Sequence, residues 1–444
     1  MTRVIKLSKG LDINLAGKAE PKKVSLSAGN VYALNPADFE GVKPKVVVKE
    51  GDKVKAGDAL FVNKDFPQVK FASPVSGTVK LVERGDRRKL LSVQVEADAQ
   101  QEFVDFGKKD VKSLDAEAVK NALLDAGLFG YINQLPYAIS TNPETAPKAI
   151  FVSAFRDMPL AGDFSFELQG QEADFQTGLS ALAKIAKVYV GVNESMSLSD
   201  VEVVEFRGKC PAGNVGVQVN NIDPVNKGEI VWTVEPSAVI FFGRLFNTGK
   251  VNLTRTVAIA GSEMKENGYV DALVGQQLTV NVDANARVIM GNPLTGKAVA
   301  TTQQASAVAV TLGAHSSEIT AIPEGDNADE ILGWIMPRFG QFSVNRSYFS
   351  WLFGKKQYKL DARVKGGERH MIMSGEYDSV LPMDIYAEYL IKAIITGDID
   401  KQEQLGIYEV SPEDFALAEF VDSSKLELQR IVREGLDVLR KENE

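Results

Sequence analysis

One cysteine, Cys210, and two histidines, His315 and His370, are all that 444 residues offer of the strongest metal- and electron-binding side chains. A single cysteine excludes any disulfide within the chain. It also excludes every multi-cysteine centre, from zinc ribbons to C-x-x-C pairs and iron–sulfur clusters. Two histidines exclude a histidine-rich metal centre, and a Ser–His–Asp triad would have to use one of them. Such scarcity fits a reducing compartment and argues against a self-sufficient redox or hydrolytic enzyme. Positive charge is in deficit too: 50 Lys and Arg stand against 59 Asp and Glu, a net charge of −9. A global basic field for nucleic acid is thereby excluded, although a local patch is not. Long apolar runs are also missing. Nowhere do about 18 apolar residues run together, as a membrane-spanning helix needs. The best short runs, at 238–242 and 289–290, are strand-sized. The opening M-T-R-V-I-K-L-S-K-G lacks the apolar core of a signal peptide. The expectation is a cytoplasmic chain whose membrane contact is peripheral or through a partner.

What is present is ordinary for a folded chain, 44% hydrophobic and 25% charged. The expected fold class is multidomain, mixing α/β and α+β parts. Residues 1–100 read as short alternating strands separated by Gly-Asp turns. The pattern G-D-x-V-x-x-G-D-x-L from Gly51, followed by x-P-x-x-G-x-V from Ser73, resembles the lipoyl/biotinyl barrel-sandwich hybrid. Carrier domains of that family modify a lysine at a hairpin tip. Lys64 lies near that tip, but its setting, Asn63-Lys64-Asp65-Phe66-Pro67, is not a carrier motif, so a scaffold is expected. Residues 101–255 switch between periods. Asp115 reads as a helix cap, Val119, Leu123 and Leu124 as an apolar stripe, and Gly127 as a stop. Strands are expected at 149–154, 188–192, 201–206 and 215–219, with a helix over 174–187. This alternation predicts a mostly parallel sheet. Residues 256–325 are again β-rich, and helices are expected to dominate from 326 to 444, most clearly over 425–441.

Motifs for chemistry are weak. No G-x-G-x-x-G stands at a strand–helix junction to receive a pyrophosphate, so the α/β unit is expected to be structural. Gly291, Gly296 and Lys297 have P-loop spacing. Ala298 replaces the magnesium-ligating hydroxyl, however, and Pro293 removes an amide, so a turn between strands is the better reading. Asp398-Ile399-Asp400 opens like a calcium loop, but Glu403 stands where glycine is needed. Cys210 reads as a structural thiol and His370 as a surface or hydrogen-bonded residue. One segment stands out. Between Arg338 and Leu360 there is no carboxylate, yet Arg338, Arg346, Lys355, Lys356 and Lys359 accompany Phe339, Phe342, Tyr348, Phe349, Trp351, Phe353 and Tyr358, with Trp334 just upstream. Aromatics beside positive charge favour a docking surface. The plainer alternative is that the aromatics fill the C-terminal core.

Landmarks along nearly the whole chain give a family resemblance. They include Leu7-Ser8-Lys9-Gly10-Leu11-Asp12, Met158-Pro159-Leu160-Ala161 and Gly243-Arg244-Leu245-Phe246-Asn247-Thr248-Gly249. Tyr377-Asp378-Ser379-Val380-Leu381-Pro382-Met383-Asp384 and Leu405-Gly406-Ile407-Tyr408-Glu409-Val410 continue the series. In this order they resemble the A-subunit family of the sodium-translocating NADH:quinone oxidoreductases (Na+-NQR). The ferredoxin-linked relative, the C-subunit family of a similar ion pump, carries two four-cysteine motifs and is excluded by the lone Cys210. The resemblance implies a peripheral subunit on the cytoplasmic face of a bacterial inner-membrane complex. That complex would oxidise NADH, reduce ubiquinone or menaquinone and export sodium. FAD, FMN, riboflavin and iron–sulfur centres would sit on other subunits, with quinone a possible substrate here. The resemblance also implies a Rossmann-like domain without its cofactor and a β-grasp-like soluble-ligand-binding domain at 256–325. Arg338, Phe342, Arg346, Trp351 and Phe353 of this chain are the expected partner- or quinone-facing residues, docking on the membrane neighbour near the quinone site. Relatives often carry a His-x-His at the segment matching 216–221. It is absent here, so no role of those histidines transfers.

Overall fold

The computed structural model describes residues 3–326, 332, 335–336 and 338–443, and Trp334 lies outside the described residues. The strands Ile150–Ser153, Val188–Val192 and Val231–Val234 are buried at every position. Such uniform burial marks strands covered on both faces. They sit in a seven-stranded sheet ordered Arg3–Lys6, Glu202–Arg207, Val188–Val192, Ile150–Ser153, Val231–Val234, Ile132–Leu135, Ile139–Ser140. The first five are parallel, Ile132–Leu135 is antiparallel to Val231–Val234, and Ile139–Ser140 is antiparallel to Ile132–Leu135. From Ile150–Ser153 the chain builds outward in one direction, then returns to lay Val231–Val234 on the other side. The strand order therefore reverses between these two, and a crevice opens at their carboxyl ends.

The helices Glu172–Ile185 and Pro236–Thr248 pack closely against each other. Gly178 permits the approach, since a Cβ there would fall 2.0 Å from the Val239 carbonyl oxygen. The apolar run at 238–242 is part of Pro236–Thr248 and is buried throughout. Residues 215–219 read as a strand from their alternating V-G-V-Q-V, but they belong to the helix Val215–Ile222. Gly216 to Val219 are all buried, so the alternation of types reflects no alternation of faces. Gln218 is held there by donating to Ser153 Oγ at 2.8 Å and to the Ala212 carbonyl at 3.1 Å.

The N-terminal unit is a barrel-sandwich of two open sheets. The smaller holds Pro44–Val46, Ala59–Asn63 and Lys70–Ala72. The larger runs Ser306–Thr311, Gln276–Val282, Ser27–Leu34, Leu90–Ala97, Gly77–Arg84, Lys53–Val54. Leu60, Phe61, Phe71, Val79, Val93 and Val95 belong to their shared core. The Gly-Asp turns form because Asp52 and Asp58 accept the backbone N–H of Lys49 and Lys55, each at 2.7 Å. Two strands of this sheet come from beyond residue 275, with Leu278 opposite Ala28. The first strand instead leaves for the α/β sheet, Ile5 opposite Phe206. A five-stranded sheet, Gly268–Leu273, Thr254–Ala260, Glu318–Pro323, Ala286–Met290, Lys297–Thr302, completes the β structure.

The sequence predicts helices from residue 326 onward, but among the described residues the α-helices begin at Glu376, and the 3₁₀ turn Phe349–Leu352 stands before it. The aromatics of that stretch follow no helical period. In Leu428–Asn443, by contrast, Leu428, Val432, Leu436 and Leu439 form a buried stripe. It packs in one core with Leu390, Ile391 and Phe415. Among the described residues no helix is long and apolar enough to cross a membrane.

Candidate functional site

The crevice where the strand order reverses is a cleft of about 660 Å³. One central strand delivers Arg156 and Asp157 to it, and the other delivers Glu235. Asp38 comes from the N-terminal unit, His315 and Glu318 from the third piece, and Glu413 and Arg433 from the C-terminal unit. All four parts of the chain meet at this place.

A buried charge network underlies it. Arg156 pairs with Glu167 at 3.0 Å. Glu167 also accepts the Ser237 hydroxyl at 2.5 Å. Arg255 is 2% exposed, a depth at which a guanidinium needs partners. It donates to Ser237 Oγ at 3.1 Å and to the Ala314 carbonyl at 2.9 Å, and lies 3.6 Å from Glu235. His315 Nδ1 lies 3.2 Å from Glu235 Oε1. Burial by itself would raise the Glu235 carboxyl, but His315, Arg255 and Arg156 outweigh it and hold Glu235 below its ordinary range. Asp157 has no such cations. Burial pushes it up to about 6, against the Gly213 N–H donated at 3.0 Å, and Asp12 adds to the rise. Asp38 is raised by burial in the same way, although the Ala314 N–H donates to it at 2.8 Å.

The two helices that open onto the cleft each have a carboxylate at their start. Glu235 immediately precedes Pro236–Thr248. Asp414 reaches the first turn of Val215–Ile222 from the C-terminal unit, and a Cβ on Gly216 would lie 2.4 Å from its Oδ2. Glycine is what lets the carboxylate approach. Asp414 also accepts the Ser411 N–H and hydroxyl at 2.8 and 2.7 Å. The helix N-terminus, which elsewhere receives phosphate, is faced here by the protein's own carboxyls.

The residues expected from sequence lie elsewhere, and none of them lines the cleft. Arg346 and Trp351 are brought together, the guanidinium 5.1 Å from the indole ring. Trp351 and Phe353 are exposed, and Arg338 is half-buried. Phe342 points inward, its ring 5.6 Å from Tyr358 and 6.1 Å from Phe420. Lys64 is exposed in the turn after Ala59–Asn63. Cys210 is buried with Sγ 3.6 Å from Met158 Sδ, and burial pushes its thiol upward, away from the reactive thiolate. His370 is exposed. Residues 291–296 form the turn between the paired strands Ala286–Met290 and Lys297–Thr302. Asp398 accepts the Lys401 N–H at 3.1 Å and caps Ile399–Gln404. Among the described residues no group of three or more His, Cys, Asp or Glu is placed to hold a metal.

Sequence reasoning missed the cleft. Its signal was Arg156-Asp157 just past one buried strand and Glu235-Pro236 just past another.

A barrel-sandwich unit joined to an α/β unit is the pairing that two domain descriptions of one family match in this chain. The family description "NqrA N-terminal barrel-sandwich hybrid domain" matches residues 5–98, and "NqrA second alpha/beta domain" matches residues 114–251. The NqrA protein of Haemophilus influenzae strain 86-028NP, the A-subunit of its Na(+)-translocating NADH-quinone reductase, is 34% identical over 99% of this chain and 100% of its own. The protein of that name from Saccharophagus degradans is also 34% identical, and that from Neisseria meningitidis serogroup B 33%, over the same shares. A chain of a NAD+-reducing [NiFe]-hydrogenase covers 47% of each chain at 13% identity with a TM-score of 0.29, below the level of a shared fold. The chain belongs to the NqrA family, the A-subunits of the Na(+)-translocating NADH-quinone reductases, and is thus one component of an enzyme complex.

Proposed function

We propose that this chain serves its complex without a redox group of its own, docking as a peripheral subunit on a membrane partner at the cytoplasmic face, near where quinone is reduced. Flavins and iron–sulfur centres belong, in this reading, to other subunits. The observation that carries it is the pair of carboxyls at the starts of the two helices that open onto the cleft. Glu235 lines the α/β crevice at one helix start, where a flavin or nicotinamide phosphate would bind, and its like charge disfavours that; the Asp414 carboxyl fills the space beside Gly216 at the other. Docking is assigned to 338–360, with Trp351 and Phe353 supplying apolar contact, Arg346 and Arg338 the polar rim, and Phe342 anchoring the segment to the core. The test has two arms. The purified full chain should show no flavin absorbance and no NADH binding. Trp351→Ala combined with Arg346→Glu should cost the complex this component, or weaken quinone reduction while NADH oxidation persists. A tightly held coloured group on the isolated chain, or normal assembly and turnover of that double variant, would overturn the reading.

A further inference from the structure

We infer that the tip of the 338–360 segment seats in the headgroup layer of an anionic phospholipid bilayer. The inference rests on the docking role proposed above and names what the tip touches. Trp351, Leu352 and Phe353 are consecutive and 52%, 55% and 44% exposed. Large apolar side chains left in water together mark a contact surface. They stand on and just after a single 3₁₀ turn, Phe349–Leu352. Successive residues of such a turn point about 120° apart, so the tip is apolar on several sides at once.

The base of the segment is fixed, so the tip is presented and not merely loose. Ser350 Oγ accepts the Ser343 N–H at 2.9 Å and donates to the Ser343 carbonyl at 3.0 Å. Tyr358 is tied to the N-terminal strap, its N–H donating to the Asn14 carbonyl at 2.8 Å. Phe342 is packed on Tyr358 and Phe420. Phe349 stacks on exposed Phe339 at 5.6 Å and widens the apolar face.

Charge selects the occupant. No carboxylate lies between 338 and 360, in a chain of net charge −9. Arg346 lies over Trp351, and Gly354-Lys355-Lys356 follows the tip directly. An indole with cations at the same level is the composition of a headgroup-layer contact. Each cation near an anionic leaflet is worth about fivefold in partitioning.

The experiment mixes the full chain with vesicles of phosphatidylcholine, with or without about a third phosphatidylglycerol, in moderate salt. Co-sedimentation is measured together with quenching of tryptophan by brominated acyl chains. Binding is expected only to the anionic vesicles. Lys355→Glu with Lys356→Glu should weaken it about 25-fold or more, and Trp351→Phe should remove most of the quenching while binding persists. A control, Lys53→Glu with Lys55→Glu in the N-terminal unit, should bind as wild type does. No binding to anionic vesicles overturns the inference, as does binding that the Lys355 and Lys356 reversals leave unchanged. If the wild-type chain ignores vesicles while the Trp351 and Arg346 variant still fails to assemble, the tip belongs to a protein partner. The docking role then survives and the lipid assignment falls.

Discussion

Replacing Asp157 by asparagine tests the electrostatics of the cleft most directly. Burial raises the Asp157 carboxyl from 3.8 to about 6 in the folded chain. At 1.36 kcal/mol per pKa unit, the raised value corresponds to about 3 kcal/mol. The sign follows from proton counting. Below pH 3.8 folded and unfolded chains both hold the proton. Between 3.8 and about 6 the unfolded chain has lost it while the folded chain keeps it, so stability falls as pH rises. Above about 6 both are ionised and the whole cost is present. Asparagine is neutral throughout and keeps an oxygen to accept the Gly213 N–H, which is donated at 3.0 Å in the native chain. Asp157→Asn should therefore be more stable than wild type at pH 7.5, by up to about 3 kcal/mol. The gain should shrink as pH falls toward 4.5. Urea midpoints and slopes for both chains, at half-unit steps between these limits, measure it. A difference between the two chains that stays constant across that range would refute the reasoning.

Three further outcomes follow from the packing. Glu167→Ala strands buried Arg156 and should cost about 3–5 kcal/mol in urea unfolding, whereas Arg156→Met with Glu167→Leu together should cost less than that single change. Gly178→Ala should destabilise by more than about 1 kcal/mol in the same assay, because its Cβ meets the Val239 carbonyl; glycine to alanine in an open helix would instead gain about that amount. Gly216→Ala should displace Asp414 and speed amide hydrogen exchange across 411–421, with exchange in the Ile150–Ser153 strand unchanged.

Local chemistry was legible wherever a side chain answers to its own backbone. Asp115 accepts the Ala118 N–H at 2.8 Å, as its place before an apolar stripe predicts. Asp52 and Asp58 close the turns that the Gly-Asp pairs announced. What failed to show was everything fixed by distant chain. Arg3–Lys6 pairs with Glu202–Arg207 across about two hundred residues, and Gln276–Val282 pairs with Ser27–Leu34. Val215–Ile222 looked like a strand because Val215, Val217 and Val219 alternate with Gly216 and Gln218, although burial of Gly216 to Val219 alike leaves no alternation of faces. The cleft was invisible as well. Asp38, Asp157, Glu235, His315 and Asp414 carry no common spacing, and only the sheet's reversal gathers most of them around one opening.

That gathering bears on why the crevice keeps so many ionisable groups. In an α/β crevice the helices that follow the central strands present unpaired backbone N–H groups at their starts. A bound phosphate would stand against them; here the carboxyls of Glu235 and Asp414 stand there from within the chain. The arrangement links parts, because Asp414 comes from the C-terminal unit, while Arg255 of the strand Thr254–Ala260 lies 3.6 Å from Glu235 and donates to Ser237 at 3.1 Å. Raised carboxyls such as Asp157 and Asp38 are then the cost of packing four pieces around one opening. A crevice used in this way makes the α/β unit a joint. Its acidic groups should matter most to how firmly the C-terminal unit, and with it the 338–360 segment, is held against the rest of the chain.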